Sequence, residues 1–118
     1  MSRYISNVFA RLKILADKKT SRKVFKTLVD DPAYQEDLFK SIAEIFHNIL
    51  HGGGKVIQLS PIAKKLLKDH RKVVEKLATS PPKTNRTAGK YRALLLKYGN
   101  VLLPALLPPA LQVLKDLV

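Results

Sequence analysis

The chain contains no cysteine and no tryptophan. The missing cysteine excludes disulfides, thiolate metal sites and thiol nucleophiles, and it suits a reducing compartment. Acid is also scarce: nine Asp and Glu face 22 Lys and Arg, leaving a net charge of +13. Such an imbalance does not dictate a fold, but it makes the surface attractive to nucleic acid, anionic lipid or an acidic protein face. Long apolar runs are missing as well. Met1 to Ala16 alternates polar and apolar side chains and carries Arg3, Arg11 and Lys13, unlike the unbroken apolar block of a secretory signal. Gly99 to Leu114 is uncharged but interrupted by Pro104, Pro108 and Pro109, and falls short of the roughly 20 apolar residues of a spanning helix. No signal peptide and no transmembrane helix are therefore expected.

Catalytic groupings are equally sparse. His47 and His51 stand four apart on one predicted helix, a spacing that lets both face a metal. Neither a third ligand nor the glutamate of a zinc-protease motif accompanies them, and His51 is better explained as a dipole contact at a helix C-terminus. Asp30 and Asp31 sit at a helix start, where capping accounts for them; Glu36, Asp37 and Glu44 share a helix with Lys40. None pairs as acid and base or serves a nucleophile. Gly52-Gly53-Gly54 ends a helix and lacks the Lys-Ser or Lys-Thr that follows in a phosphate loop. No enzyme activity, metal or cofactor is expected.

What is present is helical periodicity. At 118 residues the chain suffices for one domain with a modest core. Ile5, Val8, Phe9, Leu12, Leu15 and Ala16 follow the three-four spacing of a helix face. Val24, Phe25, Leu28 and Val29 make a second stripe, with Thr20 or Ser21 placed to cap it. Asp31 and Pro32 predict the start of a third helix that runs through Leu38, Phe39, Ile42, Ile45, Phe46 and Ile49 to the glycines. After a short bridge, Lys55 to Leu59, Ser60-Pro61 opens a fourth helix carrying Ile62, Leu66, Leu67, Val73, Val74 and Leu77. Thr79 to Thr84, with Pro81-Pro82, reads as a linker. A fifth helix is expected from Thr84 or Asn85 to Tyr98, stopped at Gly99-Asn100, with two short helical pieces in the proline-rich tail. The fold class expected is all-α, a compact bundle of about five helices. Residues 1–98 form the basic domain, and 99–118 form an apolar tail that packs on the core or on a partner.

Charge is segmented along this frame. Arg11 to Lys26 holds seven basic residues and one acid, Asp30 to Glu44 holds five acids and one lysine, and Lys64 to Lys97 holds eleven basic residues and two acids. Lys64, Lys65, Lys68, Arg71, Lys72 and Lys76 lie beside or opposite the apolar stripe of the fourth helix, a row suited to tracking phosphates without reading bases. Lys83, Arg86, Lys90, Arg92 and Lys97 extend this candidate nucleic-acid-binding set. Arg11, Lys13, Lys18, Lys19, Arg22, Lys23 and Lys26 form a secondary basic patch. Base reading by Asn85, Arg86 and Thr87 is disfavoured, because the preceding connection is longer than a helix-turn-helix turn. Tyr91 and Tyr98 have the chemistry to stack on bases, but core-edge packing is the preferred reading of both.

The order of these pieces resembles a protein family. The run Asn48-Ile-Leu-His-Gly-Gly, then Gln58-Leu-Ser-Pro-Ile-Ala-Lys-Lys-Leu-Leu-Lys-Asp-His-Arg-Lys, then Lys76-Leu-Ala, a basic stretch and a leucine-proline end are similar to a small basic protein of Polinton/Maverick-type transposons and adintoviruses. The resemblance spans Leu15 to Val118. It departs at Pro81-Pro82, where the pattern is plainly lysine-rich, and at Tyr98-Gly99-Asn100, where glycines usually run. The resemblance implies a virion-associated context, with a DNA-packaging core protein or a small minor capsid protein as natural roles, and a location in the virion or host nucleus. The expected function is phosphate-directed, sequence-independent binding of nucleic acid, most naturally DNA, for packaging or condensation. Two alternatives stand beside it: a capsid or assembly protein, homo-oligomeric or docked on a capsid partner, and a membrane-active factor using the apolar tail.

Overall fold

The computed structural model describes residues 3–51, 59–79 and 85–116. The described residues form an all-α bundle of six helices. The expected bridge at 55–59, save Leu59, and the expected linker at 79–84, save Thr79, which belongs to a helix, lie outside them, as do the glycine stop at 52–54 and Lys83.

Helix α1, Arg3–Leu15, buries Ile5, Val8, Leu12 and Leu15, the face its spacing predicts. The chain then turns tightly: the Lys19 amide donates to Asp17 Oδ1 at 2.9 Å, and the Thr20 hydroxyl closes the end of α1 on the Ile14 carbonyl. That leaves Ser21 to cap α2, Arg22–Asp30, by accepting from the Val24 amide at 3.2 Å. Helix α3, Gln35–His51, starts later than Asp31-Pro32 predicts. The Asp31 carboxylate accepts from the Ala33 amide at 3.1 Å and its carbonyl from the Tyr34 amide at 3.2 Å, so residues 31–34 make a local turn instead of a first helical turn. Helix α3 is the apolar centre, with Leu38, Phe39, Ile42, Ile45 and Phe46 almost fully buried.

The expected fourth helix is two helices. Ser60 caps α4, Pro61–Asp69, accepting from the Ala63 amide at 3.1 Å, with Pro61 in the first turn as the Ser-Pro pair predicts. The helix stops at His70, whose φ of −116° and ψ of 25° leave the helical region. Helix α5, Arg71–Thr79, restarts at once, with the Val74 amide bonded to the His70 carbonyl at 3.0 Å. The elbow lets α4 pack on α6 while α5 lays Val74, Leu77 and Ala78 into the core beside α3.

The fifth helix and the tail pieces are one helix, α6, Asn85–Asp116, with Pro104, Pro108 and Pro109 inside it. Gly99 and Asn100 do not end it. Leu102, Leu103, Leu106, Leu107, Ala110 and Leu111 recur at three-four spacing and are all buried, so helix continuation is stabilised by roughly 1.5–3 kcal/mol per leucine. Pro104 withholds the amide that would meet the Asn100 carbonyl, but Asn100 is exposed and solvent can take that bond. A straight helix of this length would span about 48 Å, more than the longest principal extent of the molecule, 34 Å, so α6 bends. Bent in this way it touches all five other helices. The proposed division between residues 98 and 99 thus falls inside α6.

One expectation is corrected here. The sequence predicts a virion or host-nucleus location without a membrane-length helix, yet Ala88–Val113, 26 residues whose most apolar 18-residue window has mean hydropathy 1.3, is long and apolar enough to cross a membrane by length and composition. The uncharged run begins at Gly99, whereas the helix starts at Asn85, more than ten residues before it. Of its most apolar window, 44% is buried inside the bundle.

Candidate nucleic-acid interface

The α4–α5 elbow brings the main basic segment against α6. Lys68, Arg71 and Lys72 line one side of a cleft of about 610 Å³, and Tyr98 of α6 lines the other. His70, the elbow residue, meets Tyr98 with ring centroids 5.8 Å apart and planes tilted by 55°. Lys97 places its ammonium 5.3 Å from the Tyr98 ring centroid. Of the two stretches read separately from the sequence, Lys64–Lys76 lines this cleft with Lys68, Arg71 and Lys72, and Arg86–Lys97 reaches it through Lys97 alone, over the Tyr98 ring. The first turn of α5 also forms part of the wall, which adds the positive end of a helix dipole.

The sequence-predicted residues divide by their partners. Lys64, Lys65, Lys68, Lys72 and Lys76 are exposed, and so are Lys90 and Lys97. Arg71 is exposed but its Nε donates to Glu75 Oε1 at 3.0 Å. Arg92 is committed elsewhere. It forks onto Asp30 of α2, Nε to Oδ1 and Nη2 to Oδ2 at 3.1 Å, and fastens α2 to α6. The hydrogen bond from Arg92 holds the Asp30 carboxyl below its ordinary range, and Asp30 in turn raises the pKa of Arg92. Arg86 lies in the first turn of α6, with its side chain outside the described part.

The secondary patch is a separate surface. Helix α2 touches α1, α3 and α6 but, among the described residues, neither α4 nor α5. Lys18, Lys19, Arg22, Lys23 and Lys26 are exposed there. Arg11 instead pairs with Asp31 at 3.4 Å and lies 3.8 Å above the Tyr34 ring, and Lys13 sits 6.0 Å from the Phe9 ring. Of the other acids in the middle of the chain, Glu36 pairs with Lys40 at 2.9 Å and Asp37 accepts from Asn7 of α1 at 3.2 Å. Glu36 accordingly raises the pKa of Lys40.

The two tyrosines differ. Tyr91 is 3% exposed, its ring 4.9 Å from Phe39, and its hydroxyl bonds the Leu77 carbonyl at 2.7 Å. It belongs to the core. Tyr98 is half-buried at the cleft. Its place there was hidden in the sequence, because the elbow that faces it carries no glycine or proline to announce a break. His47 and His51 stack at 4.6 Å, and among the described residues no group of three metal-ligand side chains forms. No protein-family model, curated protein or solved structure matches the chain.

Proposed function

We propose that the protein binds nucleic acid, most naturally DNA, through phosphate contacts and without reading sequence, in a packaging or condensing role. The observation that supports this is the placing of exposed Lys68 and Lys72 in the wall of one cleft, with Lys97 over the ring of Tyr98 in its other wall and Lys64, Lys65 and Lys76 along the same two short helices. Phosphate binding asks only for cations that water has not been forced to leave and that no carboxylate has claimed. Among the described residues, Lys68 and Lys72 have no ion-pair partner.

A salt titration of binding to unrelated DNA duplexes tests the reading. With about four to six phosphates engaged, log Kd rises with log salt at a slope of roughly 4–5. Lys68→Gln with Lys72→Gln lowers that slope by about 2 and weakens all duplexes alike. Binding that ignores salt sinks the proposal. Leakage of anionic vesicles in place of salt-dependent DNA binding would instead support a membrane-active role, which rests on Ala88–Val113.

A further inference from the structure

We infer that the cleft between the α4–α5 elbow and Tyr98 takes one unstacked nucleotide, and that the protein therefore prefers single-stranded nucleic acid to duplex. The inference rests on the phosphate-binding reading of the same surface. Binding a duplex by its phosphates requires cations on an open face; it requires neither a recess nor a ring. Both are present here. The cleft, about 610 Å³, is open on one side, with room to seat a base against its wall without enclosing it. A base locked in a duplex stack does not reach its wall, whereas an unpaired base does.

The wall has the parts that such a nucleotide uses. Tyr98 offers an aromatic ring in a half-buried setting at the cleft, with His70 tilted against it at 5.8 Å. Base–aromatic stacking of this kind tolerates any base. Lys97 holds its ammonium over the Tyr98 ring, 5.3 Å from the centroid, and as an exposed side chain it swings aside for a stacking base and meets its phosphate. Lys68 and Lys72 supply cations on the opposite side. Glu75 is engaged by Arg71, and Asp69 repels phosphate, which confines the backbone to the lysine side of the cleft and the base to the Tyr98 side.

The test uses the full chain with three probes: a short thymidylate single strand, a duplex of the same length, and thymidine monophosphate. Anisotropy at one salt concentration should show the single strand bound more tightly than the duplex. Tyr98→Leu should cost about tenfold on the single strand and leave the duplex within about twofold, and Tyr98→Phe should restore the single-strand affinity. In the unaltered protein, a strand carrying 5-iododeoxyuridine should photo-cross-link at Tyr98, a readout that does not depend on a variant folding. Equal losses on both probes, or a cross-link elsewhere, overturn the nucleotide subsite while the duplex salt slope still stands. Thymidine monophosphate that competes as well as the strand overturns the strand preference in favour of a free nucleotide. Absence of salt-dependent binding to both polymers removes the phosphate reading, and the subsite with it.

Discussion

Tyr91 donates its hydroxyl to the Leu77 carbonyl at 2.7 Å and more weakly to the Phe39 carbonyl at 3.3 Å, tying α6 to α5 and α3 through backbone acceptors. Tyr91→Phe keeps the ring and removes the donor to the Leu77 carbonyl, while the Phe39 carbonyl keeps its bond within α3, so it should cost about 1–2 kcal/mol in denaturant unfolding. Burial also pushes the phenol well above its ordinary value of 10.0. A group whose pKa rises on folding contributes stability below its unfolded value and loses it above. Thermal melts on either side of pH 10 should therefore show an alkaline loss of stability that is reduced in Tyr91→Phe. At this scale the sequence was a partial guide. It supplied the aromatic character and seven-residue spacing of Tyr91 and Tyr98, but not which of them would be enclosed. Arg92 was likewise legible as a cation, while its engagement with Asp30, 62 residues away in the chain, was not.

Two glycines of α6 separate local propensity from packing. Nothing lies within 4 Å of where a Cβ on Gly89 would stand, so Gly89→Ala should stabilise by about 0.4–1 kcal/mol through chain entropy and helix propensity. A Cβ on Gly99 would meet Phe25 Cζ at 2.8 Å, and Phe25 is 4% exposed with little room to retreat. Gly99→Ala gains the same propensity but overpacks the α2–α6 junction. It should lose about 1 kcal/mol net, again read by denaturant unfolding. This junction explains why Gly99 failed as a stop signal: it serves close helix approach, not a left-handed cap. The prolines failed for a related reason, since the buried leucines after Gly99 outweigh the amides that prolines withhold. The elbow at His70 was illegible for the opposite reason. Leu66, Leu67, Val73, Val74, Leu77 and Ala78 keep one unbroken helical rhythm across it. Starts capped by serine, at Ser21 and Ser60, were readable because the capping bond is local.

For the molecule as a whole, α6 is the element that every other helix shares. A chain ended after Val101 would lack Leu102, Leu103, Leu106, Leu107, Ala110 and Leu111, all in the common core. At roughly 2–5 kcal/mol for each of the five core leucines removed, the loss matches or exceeds the about 5–15 kcal/mol that holds a domain together. Such a chain should show no cooperative melt by circular dichroism, and a melt that persists would mean residues 1–98 stand alone. Fold class and the segmented charge were open to sequence reading, since both depend on composition and periodicity. The meeting of the two basic segments was not, since it depends on where α6 bends and α4 breaks. The shared helix also sets an order of events during synthesis. Ribosomes add about 5–20 residues per second, so the 32 residues of α6 follow the rest by about 2–6 s. Through that interval the apolar side chains of the preceding helices that face α6 wait on the ribosome uncovered. Strong like charge then keeps neighbouring nascent chains on a polysome apart, protecting the chain by repulsion until α6 arrives to protect it by burial.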